Sequence, residues 1–258
     1  MRYAEHAPPD ALARVLHCLW TFEDDAPKGG PQRIVPDGRC ELIVHLGNPY
    51  REAGARAAQP RVLFAGQLTR PLRLAATGPC SVVAARFRPG AARAFVGFSM
   101  RQATDRRLAV AAGGLVETLE REPSIAARAQ ALAGWLGARL GHAGQDDTVA
   151  RTAADRIEAT RGNVCFESLA RDCALGRRQL ERRFGDQVGV GPALLATIFR
   201  FRSVFDLIEH DSARPWTDAA LAAGYFDQSH FIRDFRRFVG CTPSEFHRTP
   251  EGIAQALV

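Results

Sequence analysis

Five residues of this chain recur once at a fixed offset, and that repeat constrains the fold more than any other feature. Leu180-x-Arg182-x-Phe184, Gly189 and Pro192 return as Phe231-x-Arg233-x-Phe235, Gly240 and Pro243, each displaced by 51 residues. Self-similarity of this kind marks two copies of one supersecondary unit. In the first copy FESLARDC has helical apolar spacing, Ala174-Leu175-Gly176 makes a short turn, and RRQLERRF forms a second helix. In the second, TDAALAAG is a helix of small residues, Gly224 ends it, and DQSHFIRDFRRF follows. Pro192 is placed for a helix start, and ALLATIFRFRSVFDLIEH then runs without proline or glycine. The spacing predicts two helix-turn-helix units joined by one connecting helix of roughly 27 Å, at about 1.5 Å per residue.

Helical geometry assigns faces within each copy. Leu180 and Phe184, four apart, point to the core, whereas Arg178, Glu181 and Arg182 share the opposite face. Phe231 and Phe235 repeat the inward pair; Ser229, Ile232, Arg233 and Arg236 go outward, with Gln228 and His230 on the flanks. Charge on an exposed helix often serves solubility alone. Here the polar face recurs in both copies, and its members suit base edges and phosphates. The connecting helix is long enough to hold two reading helices about one DNA turn apart.

Residues from about 148 to 248 resemble the DNA-binding domain of the AraC/XylS family of bacterial regulators. The most specific stretch is AALAAGYFDQSHFIRDFRRFVGCTPSEFHR, with Ala220, Gly224, Tyr225, Ser229, Phe231, Arg233, Phe235, Gly240, Pro243 and Arg248 in place. The resemblance implies base contacts from Arg178, Glu181 and Arg182 in the first copy, and from Gln228, Ser229, His230 and Arg233 in the second. Arg177, Arg183, Arg236 and Arg237 are assigned to phosphates. The family often places a serine cap before each recognition helix, where this chain has Gly176 and Phe226. Glycine caps tolerably and phenylalanine does not, so Asp227 is expected to compensate at the positive helix end. Glu181 is awkward beside DNA unless it accepts from a cytosine amine or stands clear of phosphate.

The 258 residues carry a formal net charge of +6, which invites a nucleic-acid reading until the charge is located. Residues 151–258 hold 15 Arg against 14 acidic residues, net +1; residues 1–150 hold the remaining 19 cations against 14 acids, net +5. Bulk charge therefore does not mark the DNA-binding half. Lys28 is the only lysine, a bias that a GC-rich genome also produces.

Ahead of the repeat, IVPDG, CELIVHLG, VLFAGQL, PLRLAATGP and SVVAARFRPG read as short strands from Arg33 to about Pro89. Asp37-Gly38 is expected to be a hairpin turn. Beyond Gly90 the texture is helical, in AARAFVGFSM, GGLVETLERE and IAARAQALAGWLGARL. Gly141 to Asp147 reads as the linker, and Arg161-Gly162-Asn163 as the stop of the first helix after it. The fold class is therefore α+β in two domains: residues 1–145 a small β-barrel or sandwich with trailing helices, residues 148–250 an all-α double helix-turn-helix domain. PDGRCELIVHLG and RFRPGAARAFVGF resemble the β-rich, cupin-like domain often found ahead of such DNA-binding domains, which implies an effector-sensing or dimerisation role.

No nucleophile-base set, phosphate-binding glycine loop or paired-carboxylate motif is visible, so no enzyme, no catalytic residue and no cofactor is expected. Of the histidines only His45 lies in a strand candidate, which makes a poor metal site, so no metal is expected either. The six cysteines show no disulfide or zinc spacing. A thiol sensor built on Cys18, Cys40 or Cys80, or a cupin-type enzyme recruited to DNA, are the alternatives to an effector-responsive regulator. No signal peptide or membrane span is evident, which predicts the cytoplasm and no membrane partner. Expected partners are double-stranded DNA, a small-molecule effector, RNA polymerase in the case of an activator, and a second copy of the chain in a homodimer.

Overall fold

The computed structural model describes residues 1–27, 30–140 and 147–248. The expected linker therefore lies outside the described residues for 141–146. Strands β1 (Arg2–His6), β2 (Leu16–Asp24), β4 (Glu41–His45), β6 (Val62–Ala65), β8 (Cys80–Phe87) and β9 (Arg107–Ala109) form one antiparallel sheet in the order β1-β2-β8-β4-β6-β9. A second sheet, β3-β7-β5, is made of β3 (Gln32–Ile34), β7 (Leu72–Ala75) and β5 (Arg51–Glu52).

Strand alternation gives the large sheet two buried faces. Leu42 and Val44 of β4 join Leu16, Leu19, Val83 and Phe87 against Leu132 and Leu136 of a trailing helix. The other face presents Trp20, Phe22, Ile43 and Val82 toward Leu74 and Tyr50. The trailing helices are α1 (Arg93–Val96), α2 (Leu115–Arg121) and α3 (Ile125–Leu140), and α3 lies across β2 and β8.

Three local expectations are corrected here. Strands begin well before Arg33, because β2 (LHCLWTFED) is covered on both faces and so lacks the alternation that would have marked it. Arg107–Ala109 is a strand within a stretch expected to be helical, and three residues are too few to show a period. Asp37-Gly38 turns the chain, with Gly38 at φ +81°, but it does not make a hairpin. It carries β3 of one sheet into β4 of the other, and a Cβ on Gly38 would meet Leu195 and Phe199 of the helical domain at 3.2 Å.

The second domain comprises α4 (Thr148–Ala159), α5 (Phe166–Asp172), α6 (Arg177–Val188), α7 (Pro192–His210), α8 (Trp216–Ala222), α9 (Gln228–Val239) and α10 (Pro243–His247). Asp147 caps α4 by accepting from the Ala150 amide. The chain leaves α4 through Arg161 (φ 51°) and Gly162 (φ 78°), as the sequence led one to expect. A Cβ on Gly162 would lie 1.9 Å from the Ala196 carbonyl, so only glycine lets α4 approach α7 so closely.

Helix α7 starts at Pro192 and runs 19 residues. Leu195, Ala196 and Phe199 pack with Leu169, Leu180 and Phe184 of the first unit. Ile198, Phe201, Val204, Phe205 and Ile208 pack with Ala219, Ala220, Phe231 and Phe235 of the second. Two cores thus share one spine. At the centre of the second, the Phe235 ring meets Trp216 at 5.3 Å, Phe231 at 5.6 Å, Phe246 at 5.7 Å and Phe201 at 5.8 Å, all edge-on.

The β domain grips both units. Around α6, Thr104 Oγ1 donates to the Gly189 carbonyl (2.7 Å), Ser99 Oγ to Asp186 (2.8 Å), and Gln187 Nε2 to the Gly90 carbonyl (2.6 Å). Arg101 lies along the helix and donates to the carbonyls of Glu181 (3.1 Å) and Arg182 (3.3 Å). A Cβ on Gly185 would be 2.0 Å from that guanidinium, so the contact requires glycine at 185 unless the arginine moves. On the second unit Val35 enters the aromatic core, and the Arg33 guanidinium stands 5.7 Å from the Phe246 ring centre.

Replacing Phe235 by alanine removes the hub of five ring contacts at a fully buried position. The expected cost is about 3–5 kcal/mol, read as a lower urea midpoint, with Phe235→Leu costing distinctly less. A shift no larger than that of a surface substitution would show that the ring cluster does not organise this core.

Candidate nucleic-acid interface and cavity

The two second helices of the repeat superpose by number. Gly176 is the N-cap of α6, and 51 residues later Asp227 is the N-cap of α9, its Oδ1 accepting from the His230 amide at 2.7 Å. The cap therefore belongs to Asp227 itself, and Phe226 does not occupy that place. The residues before the caps behave differently. Leu175 packs on the first core, whereas its counterpart Phe226 stands 89% exposed. Between α5 and α6 lie four residues (173–176), with Ala174 at φ 50°; between α8 and α9 lie five (223–227), with Gly224 at φ 95°. The extra residue in the second turn pushes the Phe226 ring into solvent beside the start of α9.

On α6, Leu180 and Phe184 are buried while Arg177, Arg178, Glu181 and Arg182 are exposed, as the helical spacing predicts. Arg177 pairs with Glu181 at 3.3 Å, which sets a cation beside the carboxylate that was awkward on this face. Arg183 is turned away: its guanidinium holds Asp147 in a two-pronged pair at 2.6 and 2.7 Å, tying α6 to the start of α4. On α9, Gln228, Ser229, Arg233, Arg236 and Arg237 are exposed, and Ile232 is half-buried. His230 leans inward, its ring 5.0 Å from Tyr225 and its Nε2 3.6 Å from Asp234. The fold thus brings Arg178 and Arg182 onto one open face and Gln228, Ser229 and Arg233 onto another.

Phe226 and Arg101 are the residues that sequence reasoning missed as parts of this surface. An exposed aromatic in a turn was legible in principle as an apolar residue where a polar cap was expected. Arg101 had no signal, because it comes from the other domain and meets backbone.

The β domain holds a cavity of about 150 Å³ between its two sheets. Its wall includes Trp20, Phe22, Ile43, Leu72, Leu74 and Val82. His45, 1% exposed, lines it, and burial holds its pKa down to about 4 against the opposing influence of the Gln59 side chain. Arg39, Arg86 and Arg107 line the other end, together with Arg202 of α7, so the cavity reaches the spine of the helical domain. The three candidate sensor thiols are placed unfavourably. Cys18, Cys40 and Cys80 are buried, and burial raises all three, Cys18 to about 11, whereas a reactive thiol needs the opposite shift. No single described helix is long and apolar enough to cross a membrane.

Two helix-turn-helix units with open arginine faces, hung on one helix, define a double helix-turn-helix protein. Residues 169–249 match the family of helix-turn-helix domains, and residues 4–109 match a domain of unknown function (DUF6597). Over 92 residues the chain is 30% identical to the HTH-type transcriptional activator RhaS of Citrobacter koseri, and 29% identical to that of Klebsiella pneumoniae. Each match covers 36% of this chain and 33% of the relative, so the chain spans about a third of the length of the curated relatives it matches. Among solved structures, ToxT of Vibrio cholerae aligns over 92% of this chain and 98% of its own, with 10% identity and a TM-score of 0.48. The helical domain is thus a helix-turn-helix domain of the AraC type.

Asp227→Ala removes the only side-chain cap on α9 and is expected to cost about 1 kcal/mol in urea denaturation, with Asp227→Ser close to the parent. Equal stability of the alanine and serine variants would show that the cap contributes nothing.

Proposed function

We propose that this chain is a transcription regulator that reads DNA through α6 and α9 and answers to a small molecule held in its β domain. The observation that carries the first part is the equivalence of Arg182 and Arg233: the same repeat position, both exposed, on two helices fixed to one rigid spine. At about 1.5 Å per residue α7 spans roughly 28 Å, close to the rise of one DNA turn. Each arginine then enters a major groove, and the two grooves lie on one face of the duplex about 10 base pairs apart. Arg178, Glu181, Gln228, Ser229 and His230 flank the reading positions. Arg177, Arg236 and Arg237 contact phosphate, whereas Arg183 serves the fold through Asp147. The second part is supported by the cavity, whose wall includes both β-domain residues and Arg202 of α7. The role in transcription follows the RhaS relatives, which are named as transcriptional activators, and RNA polymerase is the partner such a role would engage.

The test is a DNA site selected from a random library by the full chain, then a panel of single-base variants at two salt concentrations. Arg182→Ala and Arg233→Ala each lose about 1–3 kcal/mol and relax preference at two different positions about one turn apart. Arg237→Ala weakens every sequence alike and lowers the salt slope by about one. If both recognition variants bind every sequence as the parent does, the reading faces are wrongly assigned.

Phe226 adds an apolar contact at the second site, suited to a thymine methyl in the major groove. Replacing thymine by deoxyuridine at one position near the Arg233 contact then weakens the parent and leaves Phe226→Ser unaffected. Uridine substitution that penalises both proteins equally, or neither, would rule this contact out.

A further inference from the structure

Resting on the reading of the β domain as a sensor, we infer the chemical class of what it senses: a singly charged anion with an apolar body, its carboxylate bonded to Arg202 of α7 and its body lodged between the two sheets. Such a ligand touches both domains at once.

Arg202 is the residue on which this rests. Its side chain lines the cavity and burial opposes its charge, yet it makes no ion pair and no hydrogen bond among the described residues. A partner stands within its own helix: Asp206 is exposed and lies at the i, i+4 spacing that suits a helical ion pair. Asp37 and Asp206 nevertheless reach the guanidinium only through their fields. An unpaired charge held away from water is costly, and in this protein folding has already placed it there. An entering carboxylate therefore meets a cation that is largely desolvated beforehand and gives up only its own hydration.

The other cations of the wall are engaged. Arg86 pairs with Glu41 at 2.7 Å, Arg39 with Glu158, and Arg107 with Glu52. Asp37 accepts from the Arg39 amide at 2.9 Å and stands 3.8 Å from Arg86. His45 is neutral near pH 7, since burial holds its pKa to about 4 against the influence of the Gln59 side chain. One guanidinium is thus left for one negative charge. A phosphate monoester, at about −1.5 to −2 near pH 7, brings more charge than this wall meets. A carboxylate matches the planar fork of arginine with two parallel hydrogen bonds.

Away from Arg202 the wall is apolar. Trp20, Phe22, Ile43 and Val82 of the large sheet stand against Leu72 and Leu74 of the small one. A hydrocarbon body covers these surfaces favourably, and the cavity is partly open, which gives a ligand access from solvent. Bound in this way, the anion links the sheets to the helix that carries both reading units.

The experiment titrates the full chain by calorimetry with four probes. 3-Phenylpropionate has head and body, 3-phenylpropanol lacks the charge, acetate lacks the body, and benzylmalonate adds a second carboxylate to the same body. 3-Phenylpropionate is expected to bind at least about tenfold more tightly than the alcohol, the worth of a charged hydrogen bond, and more tightly than acetate or benzylmalonate. In Arg202→Met the preference for acid over alcohol disappears while the alcohol still binds. Arg202→Lys keeps the charge without the fork, so the preference falls severalfold, and this variant keeps the test meaningful should Arg202→Met fail to fold. Any of the other three probes binding as tightly as 3-phenylpropionate, an acid preference unchanged in Arg202→Met or in Arg202→Lys, or no saturable binding of 3-phenylpropionate would each overturn the inference. Affinity for the selected DNA is measured with and without each probe. Tight binding of the acid with no change in DNA affinity supports the ligand class and overturns the sensor, whereas DNA affinity that responds to the alcohol and not to the acid overturns the class and leaves the sensor standing.

Discussion

The structure depends on α7 being buried along its whole length by two different cores. Ownership passes along the helix: Leu195, Ala196 and Phe199 of its first part belong to the first unit, and Ile198, Phe201, Val204, Phe205 and Ile208 to the second. Neither unit is large enough to bury its recognition helix without this partner, because each contributes only short helices of its own. Sharing the spine therefore fixes the two recognition helices relative to each other, and the DNA reading requires that rigidity. Arg200 reinforces it, bonding to Gly162 and Asn163 at the end of α4 while lying 5.8 Å over the Tyr225 ring of the second unit.

The same helix connects sensing to reading. Gly38 of the β domain rests on Leu195 and Phe199, Val35 enters the second core, and Arg202 closes the cavity from the α7 side. The cavity thus shares a wall with the element that carries both α6 and α9. Arg101 adds a grip on the middle of α6 through the Glu181 and Arg182 carbonyls, leaving the exposed side chains of Arg178 and Arg182 clear. Gly185 leaves room for the Arg101 guanidinium in the position it takes here, so the contact between domains is written partly into the recognition helix itself.

Much of the helical domain was legible because its signals are local. The repeat, Pro192 at a helix start, the Arg161-Gly162 stop and the period of Leu180, Phe184, Phe231 and Phe235 all act within a few residues. The β domain was harder to read. Strand β2 is covered on both faces and shows no alternation, β9 has only three residues, and the Asp37-Gly38 turn joins two sheets, which no local pattern distinguishes from a hairpin. The exposed faces of α6 and α9 were legible residue by residue, except that Arg183 bonds Asp147 and His230 leans on Tyr225 and Asp234, partners that packing supplies.

By itself the sequence determined that two equivalent helices present arginine on the face opposite phenylalanine, since side-chain direction on a helix follows from spacing alone. It also marked where those helices end, through Gly189 and Gly240 of the repeat, at positions where left-handed backbone admits little else. Only the tertiary structure decided that His45 would be buried in the wall of a cavity, that Arg39, Arg86 and Arg107 around it would each meet a carboxylate, and that α7 would form part of the same wall. Those facts depend on residues between about 20 and 202 meeting in space, and such meetings are set by packing of the whole chain, which no local pattern encodes.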